Sequence, residues 1–527
     1  MKKELMEKEV LCILDTRQIQ KFMFMSNTML DNLGASDLVL HILDDAILYA
    51  LHHIDTPLSE DEYDVSMDPD AKVIPYFDSE KVKFQLIICT AGNAMFIART
   101  GELAQKIIRK ISRYYLEHSY SLNLGVAVTE KTGDFGRDIF DLYKNLALAK
   151  ASSEISDPLG ALPVAMREKN TGLPVIGCNA KAGISPAQKG SDDPFGQPAE
   201  YISLGSRIKR EEVRSSRERV VTIDEIIPSE AADGRKYRAV LHADGNNLGI
   251  TIGGILQRTP IYEDGIRSRR QINKNIKDIY RDILDRTFRE LRDHFNSTHG
   301  EDADYDLAFQ LIHQGGDDIN IICSADMAIP FVNFFYKNLD GAILWDAPGK
   351  RFPLYVCTGI AFIPEEMSYR EGFRIAEECC DSAKTVAKKE SNLRNGLAGN
   401  WMDFQICEKL NNQELSLMRK RTYITNEDID LTLRPYCLDA EEKGTVYDYD
   451  LFIKRCEAIK ELDIGGRDRQ MLDESYFVGR EEFNKWITSV KNRGTDLVGL
   501  LEKPLYMDSD KVRHAVWYDA SRLAALM

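Results

Sequence analysis

The feature that most constrains this chain is that it repeats itself, because a repeat fixes the unit of folding before any single motif is weighed. The first copy opens on the apolar run Val10-Leu11-Cys12-Ile13-Leu14 and ends at Asp15; the second opens on Tyr237–Ala243 and ends at Asp244. A long helical stretch follows each. Each copy then has an apolar hairpin broken by small residues, FQLIICTAGNAMFIA at 84–98 and LAFQLIHQGGDDINIIC at 307–323. A helix comes next, then a strand with a glycine (Gly125, Gly359), then a helix carrying Ala-Lys (Ala149-Lys150, Ala383-Lys384). The spacing from Gly125 to Ala149 equals that from Gly359 to Ala383, 24 residues. The gap from hairpin to glycine strand is longer in the second copy, and a loop near Trp345–Gly349 absorbs the difference.

The order strand–helix–strand–strand–helix–strand–helix predicts an α+β fold, two tandem ferredoxin-like units with helices on one face of each sheet. Apolar spacing at Phe373, Ala376, Cys380, Ala383 and Ala387 predicts the closing helix of the second copy. We expect a degenerate first unit over 1–155 and a catalytic second unit over 236–395. Between them, 156–235 is rich in Pro, Gly and Ser, reads as an irregular insert, and ends in the charged stretch IKREEVRSSRER. The remainder, 396–527, is expected to be a small helical domain.

Composition narrows the function. The chain has 527 residues, 43% of them hydrophobic, enough for several buried cores. Its longest apolar runs fall short of the roughly 18 residues that span a bilayer. The charged start MKKELMEKEV predicts no secretory signal and hence a cytoplasmic protein without a membrane partner. The ten cysteines are scattered without a CxxC pair, which disfavours a zinc ribbon or a disulfide framework and predicts small buried hydrophobes. A net charge of −16 disfavours a long nucleic-acid track but allows a small nucleotide, whose charge metal ions can balance.

The chemistry concentrates at the second hairpin. Gly315 and Gly316 permit a tight turn and close backbone approach; Asp317 and Asp318 follow at once. Successive strand side chains alternate between faces, but at a turn that rule relaxes, so both carboxylates are expected to reach Asp244 on the neighbouring strand. Three carboxylates repel unless a cation joins them. Mg²⁺ (or Mn²⁺) suits such oxygen ligands together with substrate phosphates, and would activate a 3′-hydroxyl for attack on an α-phosphorus. Asp244, Asp317 and Asp318 are thus the expected metal ligands and catalytic residues. Lys384, and Lys388 one turn later, are placed to meet phosphates.

These motifs resemble the large Palm-domain, polymerase/cyclase-like subunit of type III CRISPR effector complexes, and more distantly GGDEF and class III nucleotide cyclases. The matching residues are Ala243-Asp244-Gly245-Asn246-Asn247-Leu248-Gly249, Gly315-Gly316-Asp317-Asp318, the strand around Gly359, and Ala383-Lys384. In the first copy they are Gln18-Ile19-Gln20-Lys21-Phe22 and Leu33-Gly34-Ala35-Ser36; Trp401-Met402-Asp403-Phe404 follows the second. The resemblance implies synthesis of cyclic oligoadenylates from ATP as second messengers in antiviral defence. It also implies two Palm units packed face to face, each with a nucleotide pocket. Gly245, Asn247, Gly315, Gly316, Lys384 and Lys388 would serve one pocket, with the Gly245 carbonyl joining the metal. Gly92 and Asn93, in the degenerate Ala91-Gly92-Asn93-Ala94 turn, would serve the other.

The chain departs from that family in three places. Asn246 replaces a second acidic residue, no His-Asp dipeptide marks an HD nuclease module, and the insert holds one cysteine, Cys178, where a zinc module needs four ligands. Candidate partners are ATP or another NTP, RNA-guided effector subunits, an RNA activator, and a second copy of the chain. Two other readings stay open at this point, a synthase of cyclic mono- or dinucleotides and a non-catalytic sensing or scaffold subunit.

Overall fold

β1 (Val10–Arg17) shows how the first unit is layered. Val10, Cys12 and Leu14 point to one side and Leu11 and Ile13 to the other, all at most 1% exposed. A strand apolar on both sides needs a covering layer on each. The computed structural model describes residues 3–70, 81–152, 160–179, 200–213, 225–231, 234–347, 350–389, 398–408, 413–425, 429–439, 447–461, 466–478, 480–492, 506–509 and 512–527.

The first unit continues through α1 (Ile19–Met23), α2 (Met29–His53), β2 (Tyr63–Asp64), the hairpin β3 (Phe84–Thr90) and β4 (Asn93–Ala98), α3 (Gly101–Ser119), β5 (Asn123–Glu130) and α4 (Phe135–Ser152). Its sheet has the order β2-β3-β4-β1-β5. A ribbon of β6 (Val175–Asn179) and β7 (Glu200–Ser203), helix α5 (Leu204–Glu212) and β8 (Ser229–Glu230) lead to the second unit. That unit comprises β9 (Lys236–Gly245), α6 (Leu248–Leu256), the 38-residue α7 (Tyr262–His299), the hairpin β10 (Phe309–Gly315) and β11 (Asp318–Ser324), α8 (Ala328–Leu339), the ribbon β12 (Ile343–Ala347) and β13 (Lys350–Pro353), β14 (Val356–Pro364) and α9 (Tyr369–Ala387). The expected loop near Trp345 is therefore a β-ribbon.

The two sheets share one plan. Hairpin, first strand and last strand run β3-β4-β1-β5 in one and β10-β11-β9-β14 in the other, the ferredoxin-like order. The likeness extends to a defect: the first hairpin strand is bulged at Ile87 in one unit and Ile312 in the other, each three residues before the turn's closing pair. α9 forms as its spacing predicted. Ser368 caps it by accepting from the Glu371 amide, and Phe373, Ala376, Cys380, Ala383 and Ala387 are all buried.

Four expectations need correction. Helices cover both faces of each sheet, not one. α2 and α3 share a core with Val10, Cys12 and Leu14, whereas α4 packs with Leu11 and Ile13; α7 and α8 pack with Ala239 and Leu241, and α9 with Val240. Gly125 and Gly359 are not equivalent, since Gly125 pairs with Asp15 but Gly359 with His242. Gly359 is there for helix packing: a Cβ would lie 1.9 Å from the Ala376 carbonyl oxygen of α9. The second sheet also runs past 395, because β15 (Trp401–Ile406) adds in parallel to β14 and β17 (Tyr436–Cys437) follows it. Beyond 406 lie α10 (Leu415–Tyr423), β16 (Ile429–Asp430), α11 (Tyr449–Glu461), α12 (Gly466–Val478), α13 (Arg480–Lys491), β18 (Tyr506–Ser509), β19 (Val512–Ala515) and α14 (Tyr518–Ala524), with β16, β19 and β18 forming a small sheet. Finally, the insert is not wholly irregular, since it holds the β6–β7 ribbon and α5. On α5, Lys209 and Arg210 turn inward, Arg210 pairing with the fully buried Asp31 at 2.6 Å. Pro186, Pro194 and Pro198 lie outside the described residues.

The units dock reciprocally. Ser36 of α2 meets His313 Nδ1 at 2.8 Å beside the second unit's bulge. Arg270 of α7 donates to the Leu86 and Ile87 carbonyls, at 2.7 and 3.3 Å, on the first unit's bulge. Such charge-assisted bonds are worth about 1.5–3 kcal/mol each when buried. Phe24 against Phe373, ring centroids 3.8 Å apart, closes the same interface. The nine cysteines whose side chains are described are buried, and no helix among the described residues is long and apolar enough to cross a membrane.

Replacing Gly359 by Ala forces β14 from α9 and should cost about 3 kcal/mol, the upper end of overpacking penalties. Gly254→Ala, in α6 with open space at its Cβ position, should instead add up to about 1 kcal/mol. Urea unfolding of both variants checks this; equal effects would contradict it.

Candidate functional site

The site is built where β9 ends beside the β10–β11 turn. Ile319 pairs with Ala243, so Asp318 comes level with Asp244 across the strands. The turn itself holds two residues, Gly316 and Asp317, closed by the Gly315–Asp318 pair. Gly316 takes φ +67°, as a tight hairpin turn of this kind requires at its first position. In the first unit the corresponding turn is Ala91-Gly92, closed by Thr90 and Asn93, with φ +35° and +87°. Gly92 thus stands where Asp317 stands, and Asn93 where Asp318 stands. This is one residue off the pairing the sequence suggested, because the hairpins align by their closing pairs.

The three carboxylates do not converge equally. Asp317 reaches Asp244 across Gly245: a Cβ on Gly245 would lie 2.5 Å from Asp317 Oδ2, so only glycine leaves room. Burial, followed by the Asp244 charge and a hydrogen bond with it, pushes the Asp317 carboxyl from its ordinary 3.8 up to about 7. Asp244 also pairs with Lys384 of α9. Burial opposes the lysine charge, but Cys380 and Asp244 outweigh it and raise its pKa above the ordinary range.

Asp318, level with Asp244 and so on the same sheet face as His242 and Asn320, is engaged by those two residues and by Gln20. Its Oδ1 accepts from Asn320 Nδ2 at 2.9 Å and lies 3.3 Å from His242 Nδ1; its Oδ2 accepts from Gln20 Nε2 at 2.5 Å. Burial alone would raise the Asp318 pKa, but His242 and its other partners bring it below the ordinary value. Burial likewise disfavours the His242 cation, yet Asp318 overrides it and lifts that pKa to about 9.

Other expected residues fall as follows. Asn247, in the left-handed region at φ +59°, caps α6, and its Oδ1 is buried without a partner. Lys388 is exposed at the C-terminus of α9. A Cβ on Gly315 would collide with the His313 ring and come within 3.4 Å of Ala91, which brings the two hairpin turns together. Asn246 faces away from the carboxylates: its amide donates to the Ala398 and Gly399 carbonyls at 2.9 and 3.1 Å, a task an aspartate could not perform. In the first unit, Asp15 pairs with Lys150, as Asp244 does with Lys384, and Asn93 donates to Asp15 at 3.0 Å.

Sequence reasoning missed His242, Asn320, Tyr280 and the role of Gln20. Alternation offered the first two, each two residues from a carboxylate on the same strand face. Tyr280, fully buried on α7 with an unpartnered hydroxyl, is kept neutral by burial and then by the nearby Asp317 and Asp244 charges. Among the described residues no three His, Cys, Asp or Glu side chains form a ready cation cage. Asp244 and Asp317 nonetheless fit an oxygen-loving divalent ion, because a proton and the Lys384 ammonium already offset their charge. Two carboxylates with substrate phosphates are an ordinary Mg²⁺ set.

With this geometry in place, the likenesses can be stated. No protein-family model matches the chain, and no curated protein matches it. Solved structures of similar fold include the apo Csm1–Csm4 cassette (14% identity, TM-score 0.48, covering 100% of this chain and 71% of that one). They also include the cassette with one ATP (14%, 0.47, 99% and 70%) and with cA4 (14%, 0.46, 99% and 70%). A further neighbour is the Csm1–Csm4 subcomplex of the type III-A CRISPR–Csm interference complex.

The Asp317 shift predicts a pH effect. Its pKa is raised on folding, so its stabilising contribution is full below 3.8 and is lost as pH rises toward about 7. Metal-free protein should therefore lose thermal stability across that window relative to Asp317→Asn, in which no proton is bound there. Parallel melts from pH 4 to 8 with a chelator check this; identical pH profiles would contradict it.

Proposed function

We propose that this chain is a Palm-type, metal-dependent nucleotidyltransferase that joins ATP molecules 3′–5′ into a cyclic oligonucleotide and releases pyrophosphate. The observation that carries this reading is the Asp244–Asp317 pair, closed across Gly245, with Lys384 on Asp244 and the Asp317 pKa pushed up to about 7 by burial and the Asp244 charge. A structural turn has no use for carboxylates driven together in this way, whereas a cation site has.

Asp244 and Asp317, with the Gly245 carbonyl, would hold Mg²⁺ or Mn²⁺. The bound ion supplies charge compensation for the triphosphate and acidifies the attacking hydroxyl. Lys384, released from Asp244, meets the phosphates, and Asn247 with the first amides of α6 would bind them too. In the step itself the 3′-oxygen bonds to the α-phosphorus and loses its proton, while the bond to the β-phosphate oxygen breaks. The first unit keeps Asp15 and Lys150 but has Gly92 and Asn93 at its turn, so it binds a nucleotide and does not catalyse. Gly315 beside Ala91 brings the two turns together, as holding two reactants in register requires. The setting is a cytoplasmic, CRISPR-type antiviral complex with effector subunits and an RNA activator as partners, by resemblance of motif.

The test is to incubate the protein with each NTP and Mg²⁺ or Mn²⁺ and identify products by mass spectrometry. ATP should yield a cyclic 3′–5′ product. Asp317→Asn and Asp244→Asn should each cost roughly a thousandfold in turnover, equivalent to about 4 kcal/mol. Asn93→Ala should cost less than about tenfold. Wild-type turnover in Asp317→Asn would overturn the assignment.

A further inference from the structure

Asp318 receives a hydrogen bond from outside its own unit. Gln20 sits on α1 of the first unit, yet its Nε2 donates to Asp318 Oδ2 at 2.5 Å. Its own Oε1 is left buried without a partner, so the amide is turned toward this carboxylate at the expense of its other end. The remaining Asp318 oxygen is taken by Asn320 and faces His242. The carboxylate is therefore pinned on both oxygens, immediately after the turn that carries Asp317.

α1 is a five-residue helix, too short to hold itself in place. It is clamped from three sides. A Cβ on Gly92 would lie 2.9 Å from Ile19 Cδ1, so the first hairpin turn presses on it. Lys209 of α5, reaching in from the insert, donates to the Phe22 carbonyl and lies over the Phe22 ring. Just after α1, Phe24 packs on Phe373 of α9 in the second unit. The contact is one-way: five residues after Asp15 comes Gln20, but five after Asp244 comes Gly249, whose Cβ position has open space around it. The residue at the position of Asp318 in the first unit, Asn93, bonds instead within its own unit, to Asp15.

We infer that Gln20 is a positioning residue for the carboxylate hairpin, through which the degenerate first unit holds Asp318 and so fixes the turn that presents Asp317 to Asp244. This rests on the nucleotidyltransferase reading above. Gln20 acts through Asp318 and touches neither metal nor nucleotide.

The full chain carrying Gln20→Leu, Asp318→Asn or both tests it, read as kcat, KM for ATP, Mn²⁺ affinity by electron paramagnetic resonance, and thermal melting. Gln20→Leu should lower kcat about tenfold with KM and Mn²⁺ affinity unchanged within about threefold, and the double variant should be no slower than Asp318→Asn alone. Gln20→Glu, which sets two carboxylates together, should be slower than Gln20→Leu, and Asp318→Asn should partly rescue it by restoring a donor. Additive losses in kcat, a change confined to KM, or unchanged kcat in Gln20→Leu would each overturn the inference. If the wild type turns over no NTP, the nucleotidyltransferase reading falls. The melting cycle then decides the contact by itself: non-additive changes for Gln20→Leu and Asp318→Asn support it, and additive ones overturn it.

Discussion

Asp244 and Asp317 lie so close that a methyl group on Gly245 would touch the Asp317 carboxylate, and Asp244 stands at the end of a strand buried on its two faces. Carboxylates so placed cannot both remain charged without a positive partner. The structure meets that demand with a proton on Asp317 and an ammonium from Lys384. The rest of the second unit serves this arrangement. β14 brings α9 close enough for Lys384 to reach, which the bare Gly359 permits, and α7 backs the pair with Tyr280. A divalent ion arriving with a nucleotide would displace the proton and free the lysine, so the resting site is already arranged for the exchange.

The duplication shows what such a site needs by showing what its degenerate copy lacks. Both units keep the strand-end aspartate, its lysine partner, the two-residue turn and the bulge three residues before the turn's closing pair. Only the second has a carboxylate in the turn. Where Asp317 stands the first unit has Gly92, and Asn93 satisfies Asp15 by donating to it. A neutral donor in that place removes the repulsion and with it the reason to bind a cation. The reciprocal docking of α2 on one bulge and α7 on the other then makes the first unit a buttress for the second.

Much of the fold was legible because the repeat carries strong period signals. The apolar run at 10–14, the spacing of Phe373 through Ala387 and the hairpins flanking small residues all formed as expected. Legibility failed where partners are distant in sequence. Which helix covers which face of a strand apolar on both sides is not written in its pattern. Gly125 and Gly359 looked alike, yet one lies over a strand carbonyl and the other under a helix. The β15 strand went unread as part of the second sheet because it pairs in parallel, beyond a helix. At the site, the residue types were right, but equal convergence was not: Asp317 reaches Asp244 from the turn, whereas Asp318, though level with Asp244, is taken by His242, Asn320 and Gln20, of which His242 lies on the neighbouring strand and Gln20 in the first unit. The inward turn of Arg210 was not legible because the buried Asp31 that receives it lies on α2, in the first unit.

The account stands or falls on a cation replacing the proton of the Asp244–Asp317 pair. Isothermal titration of the metal-free protein with Mn²⁺ at pH 6.5, in two buffers of different ionisation enthalpy, counts that proton. The account predicts release of a substantial fraction of one proton per ion bound, roughly half or more, and none in Asp317→Asn, whose affinity also falls. Binding without proton release, or equal Mn²⁺ affinity in Asp317→Asn, would contradict it.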